Sequence, residues 1–191
     1  MDTTRPSLLL RLRDRSNADA WRTFDAIYRP ILRRFAQGWG LGDEDTEDVV
    51  QYCMVAVLDH ISAFHYDPAK GRFKAWLHTL VNNRVRDLLR NRRERSVATS
   101  YLGSLPADGP SPEEAFEKIW MEEHLAYCLQ QASGEVEERT FQAFWMVVME
   151  QKPVDEVSAA LGLEPNNVYT IKWRLTERVA ARMKELIDGL E

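Results

Sequence analysis

Arginines crowd one short stretch of the chain, residues 73–96, which reads FKAWLHTLVNNRVRDLLRNRRERS. The six are Arg84, Arg86, Arg90, Arg92, Arg93 and Arg95. Since the stretch offers only Asp87 and Glu94 in return, these cations would repel one another unless an anion lay against them. Guanidinium groups bind phosphate well, so the stretch indicates contact with a nucleic acid backbone. A solvated basic face is the alternative.

The same stretch carries an amide and an aromatic in line. Asn83 follows Trp76 by seven residues, so on a helix both project from nearly the same side. Together they are able to hydrogen-bond and stack with unpaired bases. The alternative, favoured for Trp76 taken alone, is that the indole belongs to the core while Asn83 is merely solvated.

A second motif, Pro153 to Val179, reads PVDEVSAALGLEPNNVYTIKWRLTERV. It fits a helix-turn-helix, which needs a short first helix, a tight turn and a second helix across it. Gly162 suits the positive φ of the turn, and Ser158 is small where the helices approach. The predicted buried face of the first helix is Val157, Ala160 and Leu161, and that of the second is Val168, Ile171, Leu175 and Val179.

The other side of the second helix is polar and basic. It presents Asn166, Asn167, Tyr169, Thr170, Lys172, Trp173 and Arg174. Amides are able to read adenine, and Lys or Arg reach guanine or phosphate, so this face predicts DNA reading. An antiparallel helical hairpin with a glycine corner is the competing interpretation.

Apolar residues recur at helical spacing on both sides of the two motifs. No stretch shows a convincing alternation of apolar and polar residues, which a β-strand would require. Between them, residues 96–112 lose the pattern and carry three prolines, which is typical of a linker. The sequence therefore predicts an all-α protein: two small helical bundle domains, 1–95 and 113–191, joined by a flexible linker, with the helix-turn-helix in the C-terminal one. The net charge of -5 is uneven, with 17 Lys+Arg against 13 Asp+Glu in residues 1–99 but 8 against 17 beyond. Such asymmetry is compatible with different partners for the two domains.

Several function classes find no support. The sequence has no phosphate-binding glycine loop and no nucleophile elbow, so we expect no enzyme. His60, His65, His78 and His124 are scattered, and with Cys53 they make no familiar zinc spacing, so no metal or cofactor is expected. The acids at 43–48 are better explained by a capped helix start than by a metal site. No membrane span or signal peptide is visible, and two distant cysteines suit the reducing cytoplasm.

Two stretches together resemble a known family. The run DTEDVVQ…AFHYDPAKGRFKAWLHTLVNNRVRDLLRNRRER resembles region 2 of bacterial RNA polymerase sigma factors of the extracytoplasmic-function (ECF) group. TFQAFWMVVMEQKPVDEVSAALGL and the helix-turn-helix after it resemble region 4 of that group. The double match, in this order across a short linker, is more specific than either half.

The resemblance implies a sigma factor that binds core RNA polymerase, directs it to promoters and helps to open the minus-ten element. Contact with the clamp helices of the β′ subunit would involve Asp48, Val49, Val50, Gln51 and Met54. Contact with the minus-ten element would involve Tyr66, Lys70, Arg72, Phe73, Trp76, Asn83, Arg84, Arg86 and Arg90, with Arg92 and Arg93 on the adjacent backbone. Contact with the minus-thirty-five element would involve Asn166, Asn167, Tyr169, Thr170, Lys172 and Arg174. The resemblance further implies the β flap as a polymerase contact and, as is often found in this group, an anti-sigma protein as a partner. On charge alone, the acidic helix 113–132 is a candidate surface for that partner.

Two other functions remain open from the residues. A conventional helix-turn-helix regulator would bind duplex DNA without being a polymerase subunit, but it leaves the arginine-rich helix unexplained. A sigma-like adaptor would bind polymerase without opening DNA, and Trp76, Asn83 and the arginines argue against that.

Overall fold

The computed structural model describes residues 8–62, 73–95 and 110–188, and of Arg93–Arg95 and Asp188 it describes the backbone only. Every regular element in these ranges is an α-helix, as the fold class predicted from the sequence requires. The elements are α1 Leu8–Leu12, α2 Ala18–Gly38, α3 Asp43–His60, α4 Phe73–Arg95, α5 Pro112–Gly134, α6 Glu138–Val148, α7 Val154–Leu161 and α8 Pro165–Asp188. None of the described helices is long and apolar enough to cross a membrane.

Local signals set several helix starts. The Asn17 side chain accepts a hydrogen bond from the Ala20 N–H at 3.0 Å and so caps α2. Ser111 and Glu114 exchange hydrogen bonds in a capping box, and Pro112 takes the first position of α5. The backbone N–H of Ser111 and its hydroxyl hold the pKa of Glu114 below its usual value. Three acids, Asp43 to Asp45, lie in the first turn of α3, where the helix dipole favours negative charge.

The chain forms two compact units, Met1–Glu123 with Ile187–Glu191, and His124–Leu186. The division therefore falls inside α5, while the predicted linker, 96–112, lies mostly outside the described residues. The predicted domain limits stay a prediction.

Aromatic rings fill the core of the first unit. Phe24 stacks on Tyr28 with centroids 4.3 Å apart, and Phe73 of α4 meets Tyr28 edge-on at 5.5 Å. Burial raises the pKa of Tyr28 far above its ordinary value. Phe116 and Trp120 bring the first half of α5 into this core, with Trp120 at 5.5 Å from Tyr28. Such aromatic pairs contribute about 0.5–1.5 kcal/mol each beyond their burial, so they hold α4 firmly against α2.

The second unit is built around the inner side of α8. Val168, Ile171, Leu175 and Val179 are all buried, as their spacing predicted. Val157 and Ser158 of α7 are buried against this core, but Ala160 is exposed, which corrects its predicted place in the buried face. The reason is angular: at about 100° per residue, Ala160 lies about 120° from Val154 and about 100° from Leu161, outside the side of the helix that faces the core.

The turn between α7 and α8 is held by a side chain from another helix. Gly162 adopts φ +59 in the left-handed region, as predicted for this turn. The Arg139 guanidinium of α6 donates to the Leu161 carbonyl at 2.8 Å and to the Gly162 carbonyl at 2.7 Å. These bonds satisfy carbonyls that the end of a helix leaves unpaired. Arg139 thereby stabilises the turn that leads into α8.

Candidate nucleic-acid interface

The exposed side of α4 gathers part of the predicted minus-ten set. Thr79, Asn83, Arg86 and Arg90 recur at intervals of three and four residues and are exposed, and we name them the α4 outer face. The inner side of the same helix is buried through Phe73, Leu77, Val81 and Val85. Helical periodicity therefore points one amide and two guanidinium groups into solvent together.

The arginines of α4 are not equivalent. Arg84 is half-buried, and its guanidinium lies over the Tyr52 ring of α3, 4.8 Å from the centroid. Arg92 pairs with Asp45 of α3, whereas Arg90 pairs with Asp87 of its own helix at 2.9 Å. Arg84 therefore ties α4 to α3 through a cation–π contact, and Arg86 and Arg90 are directed outward.

Two aromatic members of the predicted minus-ten set, Phe73 and Trp76, pack against each other, and they differ in how far they are buried. Phe73 is fully buried among Phe24, Tyr28 and Trp76, so its predicted DNA contact is corrected to a core role. Trp76 is half-buried, with its ring centroid 5.6 Å from that of Phe73. Tyr66, Lys70 and Arg72 lie outside the described residues.

A second exposed surface lies on α3. Asp48, Gln51, Tyr52 and Val55 share one exposed side, which we name the α3 outer face. Val49 and Val50 are fully buried, so their predicted polymerase contacts are corrected to core packing. The sequence shows that α3 is apolar on two sides but not which side the core takes. Tyr52 and Val55, which are 48% and 49% exposed, were missed for that reason.

A groove runs beside this face between α2 and α3. Its volume is ≈ 580 Å³, and its lining includes Trp21, Gln51, Met54, Val55 and Leu58. Arg29 and Glu47 at its edge form an ion pair at 3.7 Å. An apolar floor with a charged rim is the form of surface that receives side chains of another macromolecule.

The third surface is the exposed side of α8. Asn166, Tyr169, Thr170 and Trp173 recur at intervals of three and four residues opposite the buried stripe, and we name them the α8 outer face. Lys172 and Arg174 flank it and are exposed, as is Asn167. Two other basic residues of α8, Arg178 and Arg182, pair with Glu135 at 3.5 and 2.6 Å. Lys172 and Arg174 therefore place positive charge in the first half of α8, and Lys184 lies exposed near its end.

Possible metal ligands and the two thiols were the other groups of chemical interest in the sequence. No group of three or more His, Cys, Asp or Glu side chains in the described ranges is placed to hold a metal ion. Burial raises the pKa of the Cys53 thiol to about 12 and that of Cys128 to about 11. Both thiols are therefore protonated near neutrality, which makes them poor nucleophiles.

The chain is similar in sequence to several known proteins. Residues 26–95, which contain α3 and α4, match the family model of sigma-70 region 2. The chain is 27% identical over 181 residues to RNA polymerase sigma factor CnrH of Cupriavidus metallidurans, covering 91% of this chain and 89% of that protein. It is 28% identical over 196 residues to ECF RNA polymerase sigma factor SigK of Mycobacterium sp. strain JLS, covering 99% and 90%.

A solved structure is also similar, that of CnrH in complex with the cytosolic domain of CnrY, at 20% identity and a TM-score of 0.36 over 96% of this chain and 97% of that one. The family match shows that residues 26–95 form a sigma-70 region 2 domain. Several relatives at 25–28% identity are named ECF RNA polymerase sigma factors, and together with the region 2 match they support membership of that group.

Proposed function

We propose that this sigma factor uses its three outer faces for three steps of initiation. The α3 outer face docks on the β′ clamp helices, the α4 outer face holds the opened minus-ten element, and the α8 outer face reads the minus-thirty-five element. The observation that carries this proposal is the α4 outer face, because an amide aligned with two outward guanidiniums suits an unpaired, charged strand.

Polymerase docking through α3 is supported by exposed apolar surface. Tyr52 and Val55 are half-exposed beside Gln51 and the groove, and the charged Asp48 is exposed on the same side of α3. Aromatic residues are enriched at the centres of protein interfaces, and a charged rim sets orientation. The proposed contact set is therefore Asp48, Gln51, Tyr52, Met54 and Val55.

The minus-ten contact is supported by where α4 is anchored. Its buried stripe and the Arg84–Tyr52 contact fix the helix, so Asn83, Arg86 and Arg90 are held in place before DNA arrives. Trp76, half-buried seven residues before Asn83, completes the proposed set. A pre-organised face loses less entropy when it binds a flexible single strand.

The upstream contact is supported by the geometry of the second unit. Gly162 and Arg139 set the turn, and α8 presents Asn166, Asn167, Thr170, Lys172 and Arg174 to solvent. Side chains near the start of the second helix are those that reach base edges in a helix-turn-helix complex.

Regulation by an anti-sigma partner stays a proposal. The ion pairs in the first half of α5 limit which of its acidic side chains could contact such a partner. Glu122 pairs with Arg34 at 2.7 Å, and Glu117 pairs with Lys74, so part of the predicted acidic surface already has partners within the first unit. Glu113 and Glu114 are exposed. A cationic partner would be directed to that end of α5; unchanged inhibition in cells of a variant with reversed charge there would contradict this.

Run-off transcription tests the function directly. Core RNA polymerase is supplied with random upstream sequences, with and without this protein. We expect discrete start sites that need the protein and are lost in the variant N83A/R86A/R90A. Arg22→Ala, an exposed arginine of α2, is the matched control and should keep them. Specific duplex binding by the protein alone, without initiation, would instead indicate a conventional helix-turn-helix regulator.

A further inference from the structure

Two large aromatic side chains lie in solvent on the α8 outer face. Trp173 is 69% exposed and Tyr169 is 58% exposed, while the opposite side of the helix is buried through Val168, Ile171 and Leu175. Burying an aromatic side chain removes roughly 150–250 Å² from water, so leaving two outside forgoes much stabilisation. Exposed apolar area concentrated in one place marks a binding surface more often than scattered single residues do.

The spacing brings these rings to the same line as a base-reading amide. Tyr169 and Trp173 are one turn apart, and Asn166 precedes Trp173 by seven residues, about two turns. Long side chains on a helix lean toward its N-terminus, so the Trp173 ring leans toward Tyr169 and the start of α8. The rings therefore occupy the centre of the surface that α8 would direct into a groove.

The positive charges on either side of Trp173 indicate which ligand would bind this surface. Lys172 and Arg174 adjoin Trp173 in sequence, are exposed, and diverge to opposite flanks of the helix. A polyanion with two charged walls and a floor that accepts apolar contact complements such a surface. The major groove of duplex DNA has that form: phosphates line both edges, and the C5 methyl of thymine is the apolar group on its floor.

We propose that Trp173, supported by Tyr169, contacts thymine methyl groups in the upstream promoter element and so is a specificity-determining residue. Asn166, on the same side of α8, would hydrogen-bond to an adjacent adenine. We therefore expect α8 to prefer A·T base pairs at the positions that it contacts. The inference rests on the proposed function, in that α8 must lie in the major groove.

The test removes the methyl group and leaves base pairing intact. Holoenzyme made from the full chain and core polymerase first selects promoter fragments from a random library. Each thymine of the selected upstream element is then replaced, one at a time, by deoxyuridine, and the apparent affinity is measured by competition. With the native chain we expect a loss of about fourfold at one or two positions, the value of one buried methyl-sized group.

The decisive comparison is between variants on the same fragments. W173A should bind the thymine fragments about fourfold more weakly and should no longer distinguish thymine from deoxyuridine at those positions. W173F, which keeps a ring, should retain part of the distinction. Trp145→Ala makes the same chemical change at an exposed tryptophan of α6 and should leave the thymine-to-deoxyuridine ratio unchanged.

Three outcomes would overturn the inference while leaving the function intact. They are an upstream element without thymine, a native chain indifferent to every methyl, and a W173A variant that still distinguishes thymine. Equal weakening of W173A on all fragments would assign Trp173 to the backbone or to polymerase. If no fragment supports initiation by the native holoenzyme, the proposed function fails, and the inference falls with it.

Discussion

The helices α4 and α8 are packed in the same way but expose different kinds of side chain. Each buries one stripe in its own unit and exposes the opposite one at helical spacing. On α4 the exposed stripe is an amide and guanidiniums, whereas on α8 it is an amide and two aromatic rings flanked by cations. An opened strand is flexible and able to bring its bases to a fixed charged surface. A duplex keeps its bases stacked, so the helix must enter the groove, and the centre of that helix is free for apolar contact.

The inner stripes should dominate stability in both helices. Phe73→Ala on α4 should lower the free energy of unfolding by about 3–5 kcal/mol, and Leu175→Ala on α8 by about 2–5 kcal/mol, because both side chains are fully buried. Urea unfolding followed by circular dichroism measures this. Thr79→Ala and Thr176→Ala, at exposed positions of the same helices, should change it by no more than about 0.5 kcal/mol. Equal losses at the inner and outer positions would break the two-stripe description.

The α4 outer face should act mainly through charge. For R86A/R90A we expect the dependence of log affinity on log salt to become shallower by about 1.4, two phosphate contacts at about 0.7 each on a single strand. The measurement is holoenzyme binding to a single-stranded minus-ten oligonucleotide across a salt series. Arg84→Ala should change the slope less, because Arg84 lies over Tyr52. A slope unchanged in R86A/R90A would remove phosphate contact from these two residues.

Folding stability should depend on the glycine in the turn before α8. Gly162→Ala should cost about 1–2 kcal/mol of folding stability, because φ is +59 and the new Cβ would lie 3.2 Å from Nη2 of Arg139. Gly134→Ala is the matched control, since its Cβ would meet nothing within 4 Å and its φ is not positive. Thermal unfolding distinguishes the two. A Gly162→Ala protein as stable as the control would show that the turn tolerates a side chain.

A smaller effect on folding stability should come from lowering the pH, through a histidine at the contact of α4 with α5. His78 packs against the rings of Phe35 and Phe116, with centroids 5.5 and 4.9 Å away, and burial lowers its pKa. Glu113 opposes that shift and Arg86 adds to it. Since the folded pKa lies below the unfolded one, the unfolded chain binds the proton first as pH falls. Stability is therefore fully present above about pH 6.5 and declines below it.

Comparing His78→Gln with the native chain isolates this contribution. Unfolding measured from pH 7.5 to 5.5 should show a steeper decline for the native protein. Identical slopes would mean that His78 titrates alike in the folded and unfolded chains.

Local pattern predicted the stripes but not the long-range partners. The buried set of α8 and the positive φ of Gly162 followed from spacing and residue type, because both are properties of a single helix or turn. Arg84 could not be separated from Arg86 by composition, since its partner Tyr52 lies on another helix. Arg139 closes a turn 22 residues further along the chain, and no local signal marks it. Trp120 joins the first unit through Tyr28, although the prolines before α5 favoured a domain boundary there.

The central claim is the division of labour between the two helices, and a pre-opened promoter tests it most directly. Initiation is measured on a selected promoter as full duplex and as the same promoter with mismatches that keep the minus-ten element open. The account predicts that N83A/R86A/R90A is strongly defective on the duplex and partly restored on the open template, which removes the cost of opening but not the lost contacts to the opened strand. N166A/R174A should remain defective on both. If the opened template restores both variants, or only N166A/R174A, the assignment of melting to α4 and of duplex reading to α8 is contradicted.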